Sequence, residues 1–369
     1  MGKSNPNRSW YNIVLMFAVF FVASCQKQSN TKAKQGTDSG PFTISLIENG
    51  NNNAKKLLIP VTRVGDESIS YNCIFDTGSV GMTIDATGVL PASMITASGI
   101  TVPLDSVYIN GITVTHLQSV VRVPIDTNIV TEYGNLAYAP VTIGGADGSI
   151  TIKKMYFFIY YKAVSHAGTV LPTHSGDVFG IGPGLNHDLT AMASPLSYYT
   201  FGSDITSGFK LSNLRGAAFT PSDISVPGLL TVGLTKSDIS SGSGFVMHEL
   251  GSDLHGLISP NINSIVLPNN TGRFVSTGIL FDTGVSETII EDPHAANGDL
   301  GQLADGTIVN FNTSQNFTYQ YSASINTNIT FMKNPNTTGD ARTIYGLDFF
   351  INNEFLVDYA HNKIGLKLN

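Results

Sequence analysis

The 369-residue chain is 42% hydrophobic and 13% charged, with a net charge of −7. Enough apolar residues are present to build a core for two lobes, which excludes a disordered polyelectrolyte. The acidic balance, with no Lys/Arg cluster, also excludes nucleic acid as a partner.

Residues 1–25 read as a processing signal. Lys3 and Arg8 precede an apolar run over 13–22, and Val22-Ala23-Ser24-Cys25 ends it as a small-residue cleavage site. That tetrad resembles the bacterial lipobox. The resemblance implies that Cys25 becomes the lipidated first residue of an exported protein, anchored to a bacterial membrane on the periplasmic side or at the cell surface. The alternative is a short membrane helix, but 13–23 supplies 11 residues against the roughly 20 needed to cross hydrocarbon. Residues 26–40 are polar and form a flexible tether. With Cys25 lipidated, Cys73 has no disulfide partner and is expected as a buried small hydrophobe.

From residue 41 onward strand patterns dominate. Segments 42–47, 57–64, 69–75 and 107–123 alternate or cluster β-branched residues between Gly, Asn, Asp and Pro turns. Short helices are predicted over 191–199, 221–224 and 292–297. Composition alone would equally permit a β-sandwich or an adhesin-like module.

Within this pattern Ile74-Phe75-Asp76-Thr77-Gly78-Ser79 recurs 206 residues later as Leu280-Phe281-Asp282-Thr283-Gly284-Val285. In each copy an apolar run delivers a carboxylate to a tight turn. An isolated buried carboxylate is costly, so two strands ending this way predict that the acids meet. Two charges about 4 Å apart repel by roughly 4 kcal/mol at an effective dielectric near 20. Such a pair holds one proton over a broad pH range and offers a base and an acid together. That combination suits direct attack of water on an amide, without a metal or a covalent intermediate.

A second repeated signature follows each acid: Asp177-Val178-Phe179-Gly180 and Ile344-Tyr345-Gly346-Leu347-Asp348. Here the chain, over about residues 41–369, resembles the pepsin-like aspartic peptidases. In that family each of two lobes carries an Asp-Thr-Gly turn locked by an apolar-apolar-Gly strand. Leu229-Leu230-Thr231-Val232-Gly233 is similar to the strand opening the second lobe. Phe349, Phe350, Val357, Asp358 and Asn362-Lys363-Ile364-Gly365 are similar to the closing strands.

The resemblance implies an all-β, bilobed pepsin-like fold with few short helices, its lobes at 41–220 and 221–369. It makes Asp76 and Asp282 the catalytic pair. Thr77 and Thr283 would bond across the lobe interface, Gly78 and Gly284 would donate N–H groups, and the Ser79 hydroxyl would bond the outer oxygen of Asp76. The turn after Asp282 has Val285 at the place where many pepsin-like enzymes carry a hydroxyl residue. Asp282 therefore lacks that bond unless Ser286 supplies it, which would push the pair's titration upward.

The family's flap, a β-hairpin bearing a Tyr, is matched by Glu132-Tyr133-Gly134 with Val141-Thr142-Ile143-Gly144-Gly145 as its returning strand. Tyr133 is the flap residue of choice and Tyr138 its rival; either also reads as a strand aromatic. From Asp76 to Gly180 is 104 residues, against 64 from Asp282 to Gly346, so the second lobe is trimmed toward the compact retroviral type.

No His-Glu-x-x-His or Gly-x-Ser-x-Gly is present, the eight His are scattered, and His174-Ser175 reads as loop. Neither metal nor cofactor is expected. The expected partners of this monomer are an extended peptide or protein substrate and, through the lipid anchor, a membrane. A pepsin-like binding protein without turnover and a surface adhesin are the alternatives.

Overall fold

The computed structural model of this protein describes residues 40–50, 54–125, 128–252, 262–268, 275–293, 301–338 and 341–369. Residues 1–39, over which a leader, Cys25 and a tether are expected, lie outside the described residues. The fold is mostly strand with few short helices. Among the described residues the strands form a fourteen-stranded sheet, an eight-stranded sheet and a two-stranded ribbon.

Burial along the strands follows the sequence pattern. Strand Lys56–Val64 buries Leu57, Ile59 and Val61, as alternation requires of a strand with one face on a core, and a register shift between Val61 and Arg63 buries Val64 in place of Arg63. Strand Glu67–Asp76 alternates at first and then becomes buried at every residue from Cys73 to Asp76. The first acid is therefore carried into the interior by the strand that ends on it. Cys73 is free and buried in the main apolar cluster.

The same local topology is built twice. Val178–Ile181 runs parallel to Glu67–Asp76, with Phe179 opposite Phe75 and Gly180 opposite Asp76. It also pairs antiparallel with Val80–Asp85, which in turn lies parallel to strand Gly148–Ser165. In the other sheet Thr343–Tyr345 runs parallel to Val275–Phe281, with Tyr345 opposite Phe281. It pairs antiparallel with Thr288–Glu291, which lies parallel to Thr330–Lys333. Glycine is needed where these strands thread the turns. A Cβ on Gly180 would stand 2.5 Å from Ser79 Oγ, and one on Gly346 would stand 2.3 Å from the Glu287 carbonyl oxygen.

The chain's last strands, Asn353–Asp358 and Lys363–Leu368, join the large sheet beside Thr206–Leu211 and Ile224–Leu234. Their one aromatic residue, Phe355, ties the two sheets together. Phe355 lies with its ring centroid 6.2 Å from Phe209 in the large sheet and 5.9 Å from Phe281 in the small one.

Several elements differ from the sequence reading. The strand expected over 107–123 is a hairpin, Ser106–Ile109 and Ile112–Ile125, turned at Asn110-Gly111. Both turn residues have positive φ, 49° and 74°, the signature of a tight Asn-Gly hairpin. The helix expected over 191–199 is reduced to a single 3-10 turn, Pro195–Tyr198. Residues 221–223 are not helical, and Ile224 already opens a strand. Asp292 and Pro293 are not helical either; the rest of that predicted helix lies outside the described residues. Phe349 and Phe350, read as part of the closing strands, sit in helix Leu347–Asn352, whose first four residues are all buried. An apolar helix of this length has no polar face to give it a period, so it reads as strand.

Strand Phe42–Asn49 carries a buried carboxylate, Glu48, away from either Asp-Thr-Gly turn. Glu48 accepts a hydrogen bond from the Arg215 backbone N–H at 2.8 Å through Oε1, and its Oε2 has no partner among the described residues. Burial pushes its pKa up to about 7, with the Arg215 backbone bond and charge opposing the shift. The folded state thus binds this proton more tightly than the unfolded chain. The resulting stability is complete below the ordinary carboxylate range and is lost as pH rises through 7, a difference of at most about 3 kcal/mol. Glu48→Gln keeps the acceptor and removes the charge. The variant should match the parent's melting temperature at pH 5 and exceed it at pH 8; an equal gap at both values would exclude this linkage.

Candidate active site

The two Asp-Thr-Gly turns meet at the contact between the sheets. Thr77 and Thr283 exchange hydrogen bonds across it. The Thr77 hydroxyl donates to the Phe281 carbonyl at 2.7 Å and accepts from the Thr283 N–H at 3.0 Å. The Thr283 hydroxyl donates to the Phe75 carbonyl at 2.6 Å and accepts from the Thr77 N–H at 3.0 Å. Four reciprocal bonds between buried groups leave the turns little freedom to move apart.

That clamp presses the acids together. Asp76 and Asp282 are 3% and 8% exposed, and they lie close enough for the charge of Asp76 to act on the Asp282 carboxyl. Each turn comes close to the opposite acid: a Cβ on Gly78 would lie 2.3 Å from Asp282 Oδ2, and one on Gly284 would lie 2.9 Å from Asp76 Cγ. No side chain larger than hydrogen fits at either position.

The two carboxyls have different surroundings. Asp76 accepts from the Gly78 N–H at 2.7 Å, the Ser79 N–H at 3.1 Å and the Ser79 hydroxyl at 2.6 Å. Asp282 accepts from the Gly284 N–H at 2.7 Å, and among the described residues no hydroxyl donates to it. Burial holds the Asp282 carboxyl well above the usual carboxylate range, and the charge of Asp76 adds to this. The Gly284 N–H and the Arg342 charge oppose it. Donors to a carboxylate stabilise its charged form. Asp282 is therefore the member of the pair that keeps a proton.

Ser286 does not replace the missing hydroxyl at the second acid. Its own hydroxyl donates to the Lys55 carbonyl at 2.9 Å instead. Neither does the chain turn at the expected flap. Glu132-Tyr133-Gly134 and Val141–Gly145 both lie on one continuous strand, Asn128–Gly145, so the second is not the returning strand of the first. Tyr133 stands inside the sheet, opposite Val120 on one side and Lys162 on the other, with Lys162 Nζ 4.4 Å from its ring centroid. Its rival Tyr138 is on the same strand, beneath Lys154 Nζ at 4.5 Å. The reversal comes earlier, where Ile125 faces Asn128. A Tyr-Gly pair specifies a turn only where neighbouring strands stop, and here both neighbours run on.

Sequence reasoning missed two supports. His174 lies in a loop as expected, but its ring bridges Asp177 Oδ2 at 2.7 Å and the Thr87 carbonyl at 2.8 Å. Asp177 also accepts from the Tyr160 hydroxyl at 2.6 Å, which steadies the entry to Val178–Ile181. Lys55 was the other, and only its burial in the folded chain reveals it.

No family model and no curated protein sequence matches the chain. Among solved structures it is similar to an aspartic proteinase from Irpex lacteus, with a TM-score of 0.57 and 14% identity over 89% of this chain and 98% of that one. It is also similar to conglutin gamma, a basic 7S globulin from lupine seeds, with a TM-score of 0.55 and 11% identity over 89% and 96% of the two chains. For the basic 7S globulin from soybean the values are 0.52 and 11%, over 88% and 94%. These likenesses show an all-β, bilobed pepsin-like fold. A proteinase and seed globulins share it, so the chemistry must be argued from the site.

Proposed function

We propose that this chain is an aspartic endopeptidase that hydrolyses extended peptides with a water activated between Asp76 and Asp282. The observation that carries the reading is the pair of buried carboxyls that the threonine clamp brings together, with surroundings that differ. Asp76 takes a proton from the water as its oxygen attacks the scissile carbonyl carbon. Asp282 gives its proton to the carbonyl oxygen. The resulting tetrahedral diol collapses as the C–N bond breaks: the proton held by Asp76 passes to the leaving amine, and a diol hydroxyl returns a proton to Asp282 as the new carbonyl forms. Thr77, Thr283, Gly78, Gly284 and Ser79 hold the acids in place.

The test is incubation of the protein with a mixed peptide library from acidic to neutral pH, with and without a hydroxyl-bearing mimic of the diol. Cleavage that the mimic stops supports the proposal. The likeness to seed globulins favours a second reading, a binding protein on the same scaffold. Peptide capture without cleavage at any pH would select that one.

We also propose that the mature protein begins at a lipidated Cys25 and is held at a bacterial membrane. Several acyl chains, at about 0.8 kcal/mol per buried CH₂, make a firm anchor. Cys25→Ala should move the protein out of the membrane fraction or block its maturation; unchanged partition would remove the anchor.

A further inference from the structure

We propose that Lys55 is a positioning residue for the second acid, holding the Asp282 turn from the opposite half of the molecule; the inference rests on the catalytic reading above. Lys55 directly precedes strand Lys56–Val64 of the large sheet. Its side chain is 4% exposed, and Nζ lies 3.0 Å from Asp348 Oδ1, itself buried. Its carbonyl accepts the Ser286 hydroxyl at 2.9 Å. One residue therefore grips both segments that bracket the catalytic turn: 282–286, and the Gly346-Leu347-Asp348 stretch that locks it.

Those segments are joined to each other as well. The Leu347 N–H donates to the Val285 carbonyl at 2.9 Å, and Asp348 Oδ2 accepts the Ile329 N–H at 3.3 Å. The Thr288 N–H then donates to the Ile329 carbonyl at 2.9 Å. Lys55 closes this ring from outside the small sheet.

The two acids are supported in different ways. Asp76 receives a hydroxyl from its own turn through Ser79. The second turn has Val285 at that place, buried and unable to donate, so its fixation comes from Lys55 instead. Burying an ammonium group is expensive, and a buried pair is weak evidence for stability alone. A role in fixing geometry accounts for its place, because a displacement near 1 Å at a reacting group costs about a hundredfold in rate.

The test compares Lys55→Met with the double variant Lys55→Met/Asp348→Asn. Asp348→Asn removes the charge that Lys55→Met would leave stranded and keeps the acceptor for Ile329. Lys55→Met should lower kcat roughly 10- to 100-fold with KM within about 3-fold of the parent. The double variant should recover thermal stability and keep the low kcat. Recovery of kcat along with stability would overturn the proposal, reducing Lys55 to a neutraliser of Asp348. An unchanged kcat in folded Lys55→Met would also overturn it.

Carbon-13 titration of the aspartate carboxyls is measured on the same proteins whether or not they cleave peptide. A shift in the pair's upper step in both variants supports positioning. An unchanged titration overturns it, and the question of peptidase activity then stands apart.

Discussion

Asp76→Asn and Asp282→Asn should each reduce peptide cleavage by about 10³-fold or more. A positioned acid or base contributes about 10² to 10⁴, and here one substitution removes half of a shared function. Asp76→Asn leaves no group to accept the water's proton, although the amide oxygen in the Oδ1 place can still receive the Gly78 and Ser79 N–H groups, while the amide NH2 in the Oδ2 place would donate to the Ser79 hydroxyl. Asp282→Asn takes away the proton that the carbonyl oxygen needs. The effects should not add, because the two groups act as one unit.

Neither loss should come from unfolding. Asparagine has the same shape, and Asp282→Asn removes an acid whose charged form burial disfavours. This variant should be at least as stable as the parent at neutral pH. Steady-state kinetics beside thermal melts check both halves. Residual cleavage within about tenfold of the parent in either variant would place the chemistry elsewhere.

Phe281→Ala should destabilise the fold by about 3 to 5 kcal/mol, the range for truncating a fully buried aromatic. Phe281 is 1% exposed. Its ring lies 4.6 Å from Phe349, 6.0 Å from Tyr345 and 5.9 Å from Phe355, measured between centroids. Phe355 belongs to the large sheet, so this one side chain packs against both. Its carbonyl also receives the Thr77 hydroxyl, so a cavity here loosens the clamp on the acids as well. Urea unfolding gives the number, with Tyr108→Ala as a control on a ring that is 72% exposed. A loss below 1 kcal/mol for Phe281→Ala would mean that the aromatic cluster refills the space.

The parts of the site that were legible in the sequence share a local cause. An acid, a threonine and a glycine in succession after an apolar run specify a buried strand ending in a turn. A glycine after two apolar residues marks a strand that must pass closer to a backbone than any Cβ allows. Both signals occur twice in the same order, so the paired turns and their locking strands could be placed. The short helix Leu347–Asn352 and the flap expectation failed because their residues carry no period that separates one local form from another. Tyr133-Gly134 is a strand interior here solely because Ile112–Ile125 and Gly148–Ser165 extend past it on both sides.

By itself the sequence determined an all-β chain with two acid-bearing turns, each backed by a glycine strand, since strand period and glycine placement act over a few residues. Only the tertiary structure decided which acid burial keeps protonated, Asp282, and where the Ser286 hydroxyl goes. It also decided that Lys55, 231 positions away from Ser286, holds the second turn. Those outcomes depend on which groups packing brings within about 3 Å of one another and seals from water, and residue order does not fix such distances.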